Sequence, residues 1–212
     1  MIGPPPVRPV LIWAAVGAAI AVSGMEAAMS PLLAWRDPIY IAGCFAGVAA
    51  LAFLLLQPLL ARGYLPGLRF RLGRNVHAWV GGALVAAVAA HVAALWLTSP
   101  PDVIDALLFR SPAPFSVWGV IAMWAVFATA LLATLRRWQR LRAWRLYHVL
   151  LAVVIVVATV VHVMLIEGTM GTVSKAALCA LILAATAKAV LDVRLPAAIR
   201  RLRTRNSDRG AV

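Results

Sequence analysis

The sequence predicts an all-α integral membrane protein, a bundle of six transmembrane helices with both termini in the cytoplasm. The chain of 212 residues is 64% hydrophobic and only 13% charged, a composition typical of membrane proteins. Each apolar run approaches the ~20 residues that an α-helix needs to cross a ~30 Å hydrocarbon core. The runs fall at about 9–30, 39–61, 76–98, 115–135, 146–167 and 173–193. The lipid bilayer is therefore the first partner we expect.

The distribution of basic residues predicts how the bundle is oriented. With the first residue inside, only Arg36, Arg110 and Lys175 of the 20 Lys and Arg residues fall on the outer side. An excess of cations on the cytoplasmic side is the usual rule for membrane proteins, so we expect a bacterial-type inner membrane with both termini inside. Because topology accounts for the formal net charge of +13, no nucleic-acid partner is expected.

The four histidines form two identically spaced pairs on the third and fifth apolar runs. His77 and His91 are 14 residues apart, as are His148 and His162. Fourteen residues make about four helical turns and ~21 Å, so both rings leave the same helix face. The third and fifth spans run in the same direction. We therefore expect His77 to meet His148, here called the inner pair, and His91 to meet His162, here called the outer pair.

Paired imidazoles inside a membrane predict two b-type hemes, each held between two histidines. Imidazole is a common axial ligand of heme iron, and ionisable groups within a membrane are usually functional. Two axial histidines leave the iron no open position, which suits electron transfer. Gly81 and Gly82, just after His77, leave room for a flat macrocycle. The alternative is a heme-free membrane protein that uses its histidines for protons or a metal.

The same segments resemble the ferric reductase-like transmembrane domain of ferric-chelate reductases and of the membrane half of NADPH oxidases. The characteristic stretches are RLGRNVHAWVGG and WRLYHVLLA, and the resemblance covers roughly residues 40–193. It implies that the two histidine pairs ligate two b hemes. The layout also resembles the heme membrane subunit of the bacterial periplasmic methionine sulfoxide reductase system. That subfamily typically lacks the complete set of four histidines, so the full set favours a two-heme reductase.

Three further charged residues are candidates for a functional role. Arg74 lies three residues before His77 and could bind a propionate of the inner heme, because guanidinium groups pair well with carboxylates. Ordinary anchoring at the membrane surface explains that arginine equally well. Glu26 and Glu167 lie toward the outside, where a carboxylate could relay a proton or attract a cation, or could simply lie at the interface.

These observations predict an oxidoreductase component that carries electrons from the cytoplasmic side to an acceptor outside. The sequence has no Gly-rich phosphate loop after a strand, so we expect the donor to be a quinol or a separate flavoprotein carrying FMN or FAD. By resemblance the acceptor is ferric iron. The alternative is that the chain is a heme membrane subunit delivering electrons to a periplasmic partner reductase of the methionine sulfoxide reductase type.

The chain is expected to have three parts. Residues 1–38 hold the first transmembrane helix and its flanks, although an apolar stretch after a single arginine also resembles a secretory signal peptide. Residues 39–195 form the ferric reductase-like heme-binding transmembrane domain. Residues 196–212 form a basic cytoplasmic tail.

Overall fold

The computed structural model describes residues 7–209, apart from the side chains of Phe70 and of residues 193–209. The ends of the predicted first and last parts, residues 1–6 and 210–212, lie outside this description. Within it, short 3-10 helices at Pro31–Leu33 and Leu135–Trp138 occupy connections. The described chain forms seven α-helices and no strand: α1 (Val7–Ala28), α2 (Pro38–Arg62), α3 (Phe70–Thr98), α4 (Pro100–Leu107), α5 (Pro114–Thr134), α6 (Leu141–Leu165) and α7 (Thr172–Arg209).

Six of these described helices, all but the short α4, are long and apolar enough to cross a membrane. This confirms the predicted all-α membrane bundle with six spans. Their apolar side chains are largely on the outside of the bundle: in α3 only 11% of the most apolar stretch is buried within the protein. Such a surface is stable only against hydrocarbon, because apolar area exposed to water is costly.

Local sequence signals set the ends of α2 and turn the chain back toward α3. The Asp37 carboxylate accepts a hydrogen bond of 2.7 Å from the backbone N–H of Ile39, and Pro38 occupies the first helical position, where its missing N–H costs nothing. At the other end Gly63 adopts the left-handed conformation with φ of 66°, which a residue without a Cβ adopts without strain. The connection to α3 is consequently short.

Two helical hairpins build the centre of the bundle. α2 packs along α3, and α5 packs along α6, whereas the backbones of α3 and α6 make little contact with each other. A Cβ on Gly43 would lie only 2.7 Å from the Cβ of Ala94, so small residues allow α2 and α3 to approach closely. α7 packs on α2 and α6, and α1 packs on α7. The two histidine-bearing helices thus face each other across the bundle, each supported by its own neighbour.

A polar cluster attaches α7 to the end of α2. The Tyr64 hydroxyl donates to the Asp192 carboxylate, and Arg62 donates to the Asp192 backbone carbonyl over 3.2 Å. Lys188 donates to the same carboxylate over 3.1 Å. Burial, followed by the hydrogen bond to Asp192, raises the pKa of Tyr64, so the phenol stays protonated and keeps its role as donor.

A second polar cluster attaches the opposite end of α7 to α1. The Glu26 carboxylate accepts a hydrogen bond of 3.0 Å from the Gly171 backbone N–H and another from the Ser174 hydroxyl. The first N–H groups of a helix have no partner within the helix, and an anion at this end is favoured by the helix dipole. Glu26 therefore caps α7 from a neighbouring helix. Glu26 and Glu167 are both exposed.

We expect Glu26→Ala to lower the melting temperature of the protein in detergent, because the Gly171 N–H loses its acceptor and the Ser174 hydroxyl is left with the Gly171 carbonyl alone. A lost hydrogen bond of this kind costs about 1–2 kcal/mol. Thermal unfolding followed by circular dichroism measures the effect. Glu167→Ala is the matched control, since it removes an exposed carboxylate close to the start of α7. Equal melting temperatures for the two variants would contradict the cap.

Candidate functional site

The structure brings the two histidines of the inner pair together. The ring centroids of His77 on α3 and His148 on α6 are 6.3 Å apart, and the ring planes are inclined by 70°. Two metal–nitrogen bonds of about 2.0–2.1 Å plus two ring radii add up to roughly 6 Å. The separation is thus compatible with a single metal atom between the rings, and rotation about a metal–nitrogen bond leaves the angle between the planes free.

The outer pair lies four turns further along the same two helices. His91 on α3 and His162 on α6 are both half-buried. The ring of Phe115 meets His162 edge-on, with 5.8 Å between the centroids. The arrangement therefore repeats at two levels of the bundle, with one histidine from each of two helices at each level.

Hydrogen bonds to backbone carbonyls fix three of the four imidazoles. The Nδ1 of His91 lies 2.7 Å from the Gly43 carbonyl oxygen, and that of His162 lies 2.8 Å from the Phe115 carbonyl oxygen. The bond from His77 to the Gln57 carbonyl is longer, at 3.2 Å.

Because a carbonyl oxygen only accepts, these bonds assign the proton to Nδ1 and leave Nε2 with a free lone pair. A second hydrogen bond of this kind is what orients and strengthens histidines that bind metals in proteins. Three imidazoles are thus presented as neutral ligands, with Nε2 available to bind.

Glycines uncover the two carbonyls of the outer pair. In a helix, a side chain covers the turn before its own Cα, so the carbonyl of residue i is screened by the side chain at i+4. Gly47 stands four residues after Gly43, and a Cβ there would lie 3.1 Å from the Nδ1 of His91. Gly119 stands four residues after Phe115, and a Cβ there would lie 2.8 Å from the Nδ1 of His162. Any larger residue at these two positions would displace the rings.

The carbonyl acceptors have the same 14-residue spacing as the histidines, except at His148. Gly43 and Gln57 are 14 residues apart on α2, as His77 and His91 are on α3. By the same spacing, the acceptor for His148 would be the carbonyl of Thr129, 14 residues after Phe115 on α5. The Nδ1 of His148 is nevertheless buried without a hydrogen-bond partner among the described residues. Within the described part of the chain, His148 is thus the one imidazole of the four that no carbonyl holds.

Stacking takes the place of that hydrogen bond at His148. The Trp144 ring lies parallel to the imidazole, with 5.2 Å between centroids and 17° between planes. The Arg136 guanidinium lies 4.9 Å from the centroid of the same Trp144 ring, an attractive cation–π arrangement. The imidazole of His148 is therefore oriented by an aromatic neighbour one helical turn earlier.

The donor set at each level consists of two imidazoles. Among the residues that the structure describes, no group of three His, Cys, Asp or Glu side chains could hold a metal ion. Two ligands alone are too few for a protein-only metal centre, whose sites use three or four. Two ligands on facing helices whose backbones stay apart suit a metal whose other positions are filled by a flat macrocycle, so the residues present fit a heme at each level.

The remaining candidates lie around these pairs. Arg74 is exposed, one turn before His77 on α3. Gly81 faces α2, because a Cβ there would lie 3.6 Å from the Gln57 side-chain nitrogen, and Gly82 is exposed. The supporting residues were not predicted from the sequence. The one available signal was the pair of glycines four residues apart, Gly43 and Gly47, a spacing typical of close helix contacts in membranes.

The comparison with protein families gives one match. Residues 46–159 match the family described as ferric reductase like transmembrane component, which is more than half of the 212-residue chain. The matched range includes His77, His91 and His148, and His162 lies three residues beyond its end. No curated protein matches the chain, and no solved structure does.

Proposed function

The chain belongs to the ferric reductase like transmembrane family, and from that membership we propose that it carries electrons across a membrane through two b-type hemes. One heme would be held by the inner pair, His77 and His148, and the other by the outer pair, His91 and His162. Membership supports transmembrane electron transfer in general. The two hemes, the direction and the acceptor are our proposal.

The observation that carries the proposal is the presentation of the imidazoles. Three Nδ1–H groups are used by backbone carbonyls, so Nε2 is the nitrogen left to bind iron. The inner rings are 6.3 Å apart, a separation suited to one iron between them. A heme-free role in proton transfer would need no such matched pairs on facing helices.

Each part of the site has a role in electron transfer. The four histidines would hold the two hemes, and each heme would supply one-electron chemistry. With an imidazole from each of two helices bound to it, the iron would be kept from oxygen and other small ligands. The carbonyls of α2 and α5 hold the rings in a fixed orientation, so little rearrangement accompanies a change of charge. The 14-residue spacing separates the two levels by ~21 Å along the helices.

We propose that electrons arrive at the inner pair from a quinol or a separate flavoprotein carrying FMN or FAD, and leave from the outer pair. The membrane is a bacterial-type inner membrane in this proposal, and the acceptor outside is ferric iron. The many arginines beside the inner pair support this orientation through the positive-inside rule. Arg74, exposed one turn before His77, would bind a propionate of the inner heme.

Reduction of a ferric chelate by the purified protein, with its hemes first reduced chemically, tests the acceptor. Reoxidation of the hemes by the chelate alone supports ferric iron as acceptor. Hemes that stay reduced until a periplasmic reductase is added would instead make the chain the membrane subunit of a two-component enzyme. Absence of b-type absorbance bands from the intact membrane fraction would contradict both alternatives and favour the heme-free one.

We expect histidine variants to lose heme in a pattern that reports the pairing. His91→Ala and His162→Ala should each lower the content from two hemes per chain to one, because either change removes one axial ligand of the same iron. The double variant that combines His91→Ala with His162→Ala should also retain one heme. Combining His91→Ala with His77→Ala should remove both.

Heme extracted from purified protein and quantified against chain concentration measures this pattern. The two double variants are each other's controls, since both delete two imidazoles from the same bundle. Unchanged heme content in the single variants would refute the ligands. Loss of both hemes in the His91–His162 double variant would refute the pairing, because a crossed pairing removes one ligand from each iron in that variant.

We expect Trp144→Ala to weaken the inner heme selectively, because His148 then has neither a hydrogen bond nor a stacked ring to orient it. Heme retained per chain after dilution in detergent should fall toward one. Trp144→Phe keeps an aromatic ring at this position and should retain both hemes. Trp124→Ala is the matched control, since Trp124 is 58% exposed on α5. Equal retention in the Trp144→Ala and Trp124→Ala variants would contradict the role of the stack.

A further inference from the structure

The two histidine pairs differ in the hydrogen bonds of their Nδ1 atoms. In the outer pair both Nδ1 atoms have short bonds to carbonyls, 2.7 Å for His91 and 2.8 Å for His162. In the inner pair His77 has one bond of 3.2 Å, and the buried Nδ1 of His148 has no partner among the described residues. The difference is systematic, since both members of one pair are strongly bonded and both members of the other weakly or not at all.

The difference follows the residues that stand four positions after the acceptors. The two outer acceptors are followed at that position by Gly47 and Gly119, where a Cβ would press on the imidazole. The inner acceptor, Gln57, is followed by Ala61, a residue with a Cβ on the turn that holds the carbonyl, and the bond there is longer, at 3.2 Å. The two short bonds thus occur where α2 and α5 have glycine at this position.

A hydrogen bond from Nδ1–H to a carbonyl makes the imidazole a more basic ligand at Nε2. A more basic ligand donates more electron density and stabilises ferric iron over ferrous iron, which lowers the reduction potential. Axial ligands and their hydrogen bonds are among the means by which a protein sets that potential.

From this geometry we infer that the outer pair, through Gly47 and Gly119, holds its heme iron at a lower reduction potential than the inner pair. Gly47 and Gly119 are positioning residues in this inference, because they act through His91 and His162. The inference rests on the proposed function, since it presupposes a heme at each pair.

A reductive titration of the purified, heme-loaded protein, followed in the b-type absorbance bands, tests the inference. The wild type should show two one-electron steps. His162→Ala should lose the step at lower potential, and His148→Ala should lose the step at higher potential. This assigns each step to a pair without reference to activity.

Gly119→Ala then tests the cause, because its Cβ would push His162 away from the Phe115 carbonyl. The lower step should shift to higher potential, toward the upper step, which itself should stay in place. Gly47→Ala should act in the same direction at His91, and its milder clash, 3.1 Å against 2.8 Å, provides a second variant where Gly119→Ala does not fold. Gly17→Ala on α1 is the control, because a Cβ there meets no described atom within 4 Å.

The outcomes separate the inference from the proposed function. Two hemes per chain with the lower step lost in His148→Ala would overturn the inference and leave the proposed function standing. Two hemes with both steps unmoved in the Gly119→Ala and Gly47→Ala variants would also overturn it. A wild-type protein that binds no heme would overturn both.

Discussion

The arrangement of the bundle depends on a hydrogen bond between an imidazole Nδ1–H of one helix and a backbone carbonyl of its neighbour. A helical carbonyl already accepts from the N–H at i+4, and its second lone pair is available only where the covering side chain is small. The histidine helices therefore need partners that approach closely and expose the right carbonyl. α2 and α5 provide both, and α3 and α6 pack on them with little backbone contact between each other.

Because of this requirement, the two helical hairpins use the same kind of contact. One hairpin pairs His91 with Gly43, and the other pairs His162 with Phe115, in each case with glycine four residues after the acceptor. Both inner histidines depart from this scheme: the His77 bond to Gln57 is longer, and Trp144 stacks on the ring of His148. These departures mark the level at which the two histidine pairs differ chemically. It is found on the arginine-rich side of the protein.

The sequence predicts the spans and the histidine pairs, because apolar runs and a 14-residue spacing are properties of the chain itself. It does not predict the acceptors. Every residue has a carbonyl, so Gly43 and Phe115 become distinctive only once the register of neighbouring helices is known. The stacking of Trp144 on His148 depends on a side-chain conformation, which the sequence does not show. Glu26 was considered for proton transfer, and its contact with α7 needs two segments about 145 residues apart to meet.

The spacing of the two levels has an electrical consequence. About 21 Å along the helices is roughly two-thirds of a ~30 Å hydrocarbon core. On the proposed route, an electron that passes from the inner pair to the outer pair would therefore traverse most of the low-dielectric layer. A full crossing is worth about 2.3 kcal/mol per 100 mV, and an interior that is negative drives the electron outward. The resting voltage of the cell would thereby offset a less favourable potential at the outer iron, and each transfer would partly discharge the membrane.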